Sequence, residues 1–89
     1  MQSISDVLVL IAQPNRLQII CLLGKKGELC VCEIMEKLGL KQNLASHHLG
    51  SLRDIGLLVT RREGKNIFYA LDKKVYQHLK YNIKHTFSI

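Results

Sequence analysis

No apolar run approaches the roughly 18 residues that a membrane span requires, and the stretch at residues 7–12 is far too short. The opening Met1-Gln-Ser-Ile-Ser carries no basic residue ahead of an apolar segment, so no signal peptide is expected and the chain is expected in the cytoplasm. There is no internal repeat, low-complexity tract or linker, and 89 residues leave room for one domain, 1–89. Missing too are a glycine-rich phosphate loop, a nucleophile beside an evident base and a pair of carboxylates, so no enzyme is expected. Cysteine is scarce, with 3 in the chain, and a cytosolic protein does not use so few as a disulfide framework. Cys30 and Cys32 stand too close in sequence to bridge each other easily and are expected to be thiols open to a metal ion or to redox chemistry.

Acidic residues are few as well: 7 Asp and Glu against 13 Lys and Arg give a formal net charge of +6. That excess suggests a polyanionic partner, with nucleic acid ahead of a membrane surface. The remaining composition, 47% hydrophobic and 22% charged, is that of a folded domain and not of a disordered segment. So short a chain buries a modest fraction of its surface, which makes dimerisation a natural way to cover more apolar area.

Hydrophobic spacing divides the chain into helices. Ser3 or Ser5 is placed to cap a first helix carrying Val7, Leu8, Leu10 and Ile11. Pro14 ends it and suits the first turn of a second helix, where its missing N–H would be unpaired anyway. Leu17, Ile20, Cys21 and Gly24 are expected on one face of that helix, and Gly24-Lys-Lys-Gly27 stops it. A short third helix follows at about 31–38, with Ile34, Met35 and Leu38 at helical spacing and Gly39 as its stop. The fourth runs from about Gln42 to Asp54; Leu44, His48, Leu49 and Leu52 form its apolar stripe, leaving Gln42, Asn43, Ser46, His47 and Ser51 elsewhere. After Gly56 come two β-prone runs, 57–62 and 66–71, joined by Glu63-Gly-Lys65 as a hairpin. Asp72 caps a last helix in which Val75, Leu79 and Ile83 recur every four residues. The order helix, helix, helix, helix, hairpin, helix describes a mainly α fold with a small β-hairpin: a winged helix-turn-helix.

A helix of that kind enters a major groove and reaches base edges with polar side chains near its N-terminal end. Gln42, Asn43, Ser46 and His47 supply short donors and acceptors there, while His48 belongs to the core stripe. Lys41, Arg53, Arg61, Arg62 and Lys65 are long cations suited to phosphates, whose neutralisation makes affinity fall steeply with salt.

Three stretches give the chain a resemblance to a known family: Leu40-Lys-Gln-Asn-Leu-Ala-Ser-His-His-Leu49, Leu52-Arg-Asp-Ile-Gly-Leu-Leu58 and Arg61-Arg-Glu-Gly-Lys-Asn-Ile-Phe-Tyr-Ala-Leu71. From Pro14-Asn-Arg-Leu17 into the last helix, the sequence resembles the ArsR/SmtB family of metal-responsive repressors. A fourth stretch, Glu28-Leu-Cys-Val-Cys-Glu33, resembles the metal box of that family's arsenic, cadmium and lead sensors. The resemblance implies a DNA-binding repressor with Cys30 and Cys32 as ligands to As(III), Cd(II) or Pb(II), which act as regulatory ligands; no permanent cofactor is implied. Thiolates favour such soft ions. Residues two apart lie about 200° around an ideal helix, so the two thiols share an ion only where the third helix starts irregularly. Otherwise they are small buried hydrophobes. Some family members carry a third cysteine where this chain has Met35.

The family's second site, for zinc, falls on Asp72, Lys74, His85 and Ser88, and the lysine and serine spoil it; Asp72 is expected to be a cap. His78 and His85 are expected to flank a dimer seam. Cys21 matches a cysteine of redox- and sulfide-responsive relatives but lacks their C-terminal partner, and is expected in the core. The family pattern implies a homodimer built on the first and last helices, with Val75, Leu79 and Ile83 at the interface. It would bind an inverted repeat in double-stranded DNA with half-sites about 34 Å apart. The alternative is a redox-responsive, sulfide-responsive or ligand-independent regulator of the same fold.

Overall fold

Most turns in the computed structural model, which describes residues 4–87, fall at a glycine or a proline. The chain order is α1 (Ile4–Ile11), α2 (Pro14–Lys26), β1 (Leu29–Cys30), α3 (Val31–Leu38), α4 (Gln42–Asp54), β2 (Leu58–Glu63), β3 (Asn66–Leu71) and α5 (Lys73–Phe87). Ser5 lies inside α1, and the alternative cap Ser3 lies outside the described residues. Pro14 occupies the first turn of α2. Gly39 ends α3 in the left-handed region, at φ 65° and ψ 32°, with its N–H on the Met35 carbonyl; only a residue without a Cβ enters that region freely. Asp72 caps α5 by accepting the Val75 N–H at 3.0 Å, as expected.

The helix-turn-helix and the wing stand where the sequence placed them, and the sheet has one strand more. β1 pairs antiparallel with β3, Leu29 opposite Tyr69 and Cys30 opposite Phe68. The order is therefore β1-β3-β2. Gly64 takes φ 62° at the first position of the two-residue loop joining β2 to β3, the positive φ that a primed hairpin turn needs there.

Two helices bury a different stripe from the one expected. On α2 the inner residues are Arg16, Ile19, Ile20 and Leu23, while Leu17, Cys21 and Gly24 are exposed. Both sets have helical spacing, and the one led by Arg16 is buried because that arginine finds hydrogen-bond acceptors inside. On α4 the inner residues are Ala45, His48, Leu49 and Leu52, and Leu44 is 41% exposed. The smaller Ala45 lets α4 approach its neighbours. The two stripes meet α3 through Ile34, and Ile19, Leu23, Ile34, Leu49, Leu52 and Leu57 form the fully buried centre.

Of the stripe assigned to a subunit interface, Leu79 lies in the subunit's own core, 8% exposed, and Ile83 packs against it; Val75 alone keeps a substantially exposed surface, 38%. The physical reason lies within the same chain: α1 contacts α5, and its Val7, Leu8 and Leu10 pack against the core cluster that includes Leu79. Among the described residues, no helix is long and apolar enough to cross a membrane.

Candidate nucleic-acid interface and the adjoining thiol pair

Because α4 turns Ala45, His48, Leu49 and Leu52 inward, it turns Gln42, Asn43, Ser46 and His47 outward, and all four are exposed. Lys41 is exposed at the N-cap with an extended backbone. The first N–H groups of a helix have no partner within it and favour anions, so Lys41 and the end of α4 form one positive corner. Arg53, at the far end of the helix, lies 3.6 Å from Asp54, both exposed.

A buried arginine fixes α4 from beneath. Arg16 on α2 donates from Nε to His48 Nδ1 at 2.9 Å, from Nη1 to the Leu10 carbonyl of α1 at 2.8 Å and from Nη2 to Ser51 Oγ at 3.3 Å. Arg16 is 7% exposed and His48 4%. Burial first, then the Arg16 charge and that of His47, hold the His48 imidazole below the usual histidine range. The sequence signal for Arg16 was present, since it leads the stripe 16, 19, 20, 23.

On the wing the three cations differ. Arg61 lies opposite Phe68 in the β2–β3 register and its guanidinium stands 4.6 Å from that ring. Its Nε and Nη2 hold both oxygens of Glu28, at 3.2, 3.1 and 2.6 Å, and Nη1 holds Glu63 at 2.7 Å. The hydrogen bonds from Arg61 push the Glu28 carboxyl below its ordinary range, and those two carboxylates raise Arg61 in turn. Arg62 and Lys65 are exposed and, among the described residues, form no salt bridge.

The cysteines overturn two expectations. Cys30 and Cys32 are joined as a disulfide, with their Cα atoms 5.4 Å apart, although they had been read as too close to bridge. Cys30 is not helical: it ends β1 and caps α3 with φ −77° and ψ 162°, so the 200° separation of an ideal helix does not apply. Its N–H donates to the Glu33 carboxylate at 3.2 Å, a capping contact that the Cys-Val-Cys-Glu spacing foreshadowed. The irregular helix start that shared ligation demands is therefore present. Cys21 is exposed and unbridged, not part of the core.

Both sulfur-bearing residues open onto a groove of about 420 Å³. Met35 from α3, Gln42 and Ser46 from α4, and Lys65 from the wing complete its walls. Among the described residues no group of three His, Cys, Asp or Glu side chains converges. Asp72 caps α5 and His85 lies 13 positions further along it, about 20 Å away, and Ser88 lies outside the described residues. The exposed His85 lies against Tyr81 with ring centres 4.0 Å apart and the ring planes tilted by 43°.

Residues 13–60 match the family described as "Bacterial regulatory protein, arsR family". The chain is 40% identical over 67 residues to an arsenic resistance transcriptional regulator of Pseudomonas putida, covering 75% of this chain and 52% of that protein. It therefore spans about half the length of that relative. It is also 34% identical over 82 residues to an arsenical resistance operon repressor of Staphylococcus xylosus, covering 92% of this chain and 78% of the other. In three dimensions it is similar to the transcriptional repressor BigR from Xylella fastidiosa, with a TM-score of 0.74 at 33% identity, over 97% of this chain and 87% of that one.

Proposed function

Because the chain belongs to the arsR family of bacterial regulatory proteins, we propose that it is a transcriptional repressor that binds double-stranded DNA and is released by a soft ion held at Cys30 and Cys32. The observation that carries this reading is the shared groove: the thiol pair and the groups expected to meet DNA, Gln42, Ser46 and Lys65, line the same walls. Whatever occupies the sulfurs stands against the reading end of α4.

The donor set favours some ions over others. Reduced to two thiolates, Cys30 and Cys32 supply soft ligands that suit As(III), Cd(II) or Pb(II). A structural tetrahedral zinc site needs four protein ligands, and the convergent set is smaller. Met35 offers a weak thioether donor from the same groove. Ligation would act on DNA binding through β1, since Cys30 is hydrogen-bonded into the sheet that forms the wing.

DNA is met in this reading by Gln42, Asn43, Ser46 and His47 on bases and by Lys41, Arg53, Arg62 and Lys65 on phosphates, with Arg61 held back by Glu28 and Glu63. Two copies pair through α1 and α5, presenting two α4 helices to an inverted repeat. Leu79 and Ile83 stabilise the subunit, and the paired surface falls to exposed groups such as Val9, Val75 and Tyr81.

The disulfide itself favours a second reading, a thiol–disulfide regulator. In that case the two thiols lose two protons and two electrons to a hydroperoxide, which becomes an alcohol and water, and the new S–S bond replaces ligand binding as the signal.

One titration separates the two. A duplex selected from a randomised pool is followed by fluorescence anisotropy with reduced wild type, Cys30→Ser, Cys32→Ser and Cys21→Ser. Arsenite, Cd(II), Pb(II) or a hydroperoxide is then added. The ion reading expects affinity to fall by about 5- to 150-fold, the usual size of such coupling, in wild type and Cys21→Ser only. Response to the hydroperoxide alone supports the redox reading. No response to any addition leaves a ligand-independent DNA-binding protein.

A further inference from the structure

The Arg16–His48 contact does more than fill the core. Arginine has five N–H donors and no acceptor, so His48 Nδ1 must present a lone pair to Arg16 Nε. The imidazole is then neutral, with its proton on Nε2. The same guanidinium reaches the Leu10 carbonyl of α1 and Ser51 of α4, so three helices share one planar donor. Away from this contact, on the exposed side of α4, lie Gln42, Asn43 and Ser46, with His47 beside His48. We propose that Arg16 is a positioning residue for α4 and that His48, as its neutral acceptor, makes the hold on DNA sensitive to acid. The proposal rests on the reading of α4 as the element that meets DNA.

Protonation replaces the Nδ1 lone pair with an N–H directed at another N–H. A hydrogen bond is lost and two cations are left facing each other at a contact that measures 2.9 Å. The groups known to face His48 are Arg16 from α2 and His47 from its own helix, whose ring centre is 5.5 Å away. α1 contributes the Leu10 carbonyl, which meets Arg16 and not the imidazole. Burial opposes protonation most, and the Arg16 charge and His47 add to it, so the ring, already an acceptor from Arg16, takes up its proton only in more acid medium than an ordinary histidine. The sign follows from linkage: an unfolded chain binds that proton near about pH 6.5 and the folded chain at lower pH. Stability from this contact is complete above the unfolded value, declines as pH falls through it, and stops declining below the folded value. α4 feels the loss first, because His48 and Ser51 are its own residues.

The test compares wild type with His48→Asn, whose amide oxygen can still accept from Arg16 but does not titrate. Affinity for a duplex selected from a randomised pool by the wild-type chain is measured from about pH 7.5 to about pH 5.5 at fixed salt. On the same samples, without DNA, ¹⁵N NMR follows the His48 ring nitrogens and the α4 amides. Wild-type affinity is expected to fall several-fold and by no more than about tenfold, the most that one proton taken up below about pH 6.5 can contribute by about pH 5.5. His48→Asn is expected to hold its affinity within about twofold, because the two proteins differ at position 48 alone. The wild-type α4 amides should shift together with His48 and stay still in the variant. Equal loss of affinity in both proteins, or α4 amides that titrate alike in both, overturns the proposal. If wild type binds no duplex at any pH, the DNA-binding reading fails and the NMR comparison still decides the coupling. If His48→Asn does not fold, Arg16→Gln decides: loss of the guanidinium must raise the pH at which His48 protonates, and an unmoved titration overturns the proposal.

Discussion

Arg61 and Arg62 are neighbours on one strand, yet they should contribute very differently to DNA binding. Arg61 sits between Glu28 and Glu63, so this trio carries a local charge of −1 and offers phosphate little. Arg62 has no such partner among the described residues. Each phosphate neutralised on duplex DNA steepens the logarithmic dependence of affinity on salt by about 0.9. Arg62→Ala should therefore flatten the slope by about 0.9 per wing, or about 1.8 for a dimer with both wings engaged. Over a fourfold rise in salt, from about 50 to about 200 mM, the dimer figure means about a twelvefold smaller fall in affinity. Arg61→Ala should change the slope by much less than one unit, and Glu28→Gln should steepen it by releasing Arg61 toward the backbone. Anisotropy titrations of a selected duplex at four salt concentrations measure all three. Equal flattening by Arg61→Ala and Arg62→Ala would refute the reasoning, because it would mean that Arg61 leaves both carboxylates to reach DNA.

Ser46→Ala combined with His47→Ala should abolish preference for a selected duplex over a random one while leaving the far-UV circular dichroism unchanged; retained preference would remove base reading from this part of α4. Leu79→Glu should unfold the subunit itself, since it places a charge in the core, whereas Tyr81→Glu, at a site 59% exposed, should leave the melting temperature nearly unchanged and shift sedimentation toward monomer. A wild-type chain that sediments as a monomer at micromolar concentration would defeat the pairing through α1 and α5. Asp72→Ala removes the cap on α5 and should cost about 1 kcal/mol, seen as a melting temperature lower by about 4–8 °C for a domain of this size.

The sequence disclosed what depends on local spacing. Gly39 between two periodic segments marked the turn from α3 to α4, and Glu63-Gly-Lys65 marked the hairpin, because those positions depend on backbone chemistry a few residues long. It concealed what depends on contacts across the chain. β1 is only two residues, too short for a period, and exists because β3 lies alongside it. The inner face of α2 was misjudged because an arginine there gains partners only from Leu10, His48 and Ser51, which are 6, 32 and 35 residues away. Cys30 and Cys32 look too close in sequence to bridge easily, and the extended backbone that Cys30 takes in β1 is what brings the two sulfurs together. Of the expected interface, Gln42, Ser46 and Lys65 line the groove onto which the two cysteines open, and the partners of Arg61, Glu28 and Glu63, left no local signal.

The order β1-β3-β2 leaves β2 with one unpaired edge, and all of it beyond Leu58 is exposed. An open edge with Val59 and Thr60 on it is a template for pairing with a strand of another copy. Arg61, Arg62 and Glu63 follow directly, and bulky charges on an edge are a usual obstacle to such pairing. The wing's cations thus also serve solubility, whatever they do at DNA. Variants that strip charge from β2 then need a light-scattering measurement beside every binding curve, because a strand freed of its charges can leave solution by stacking on its own kind.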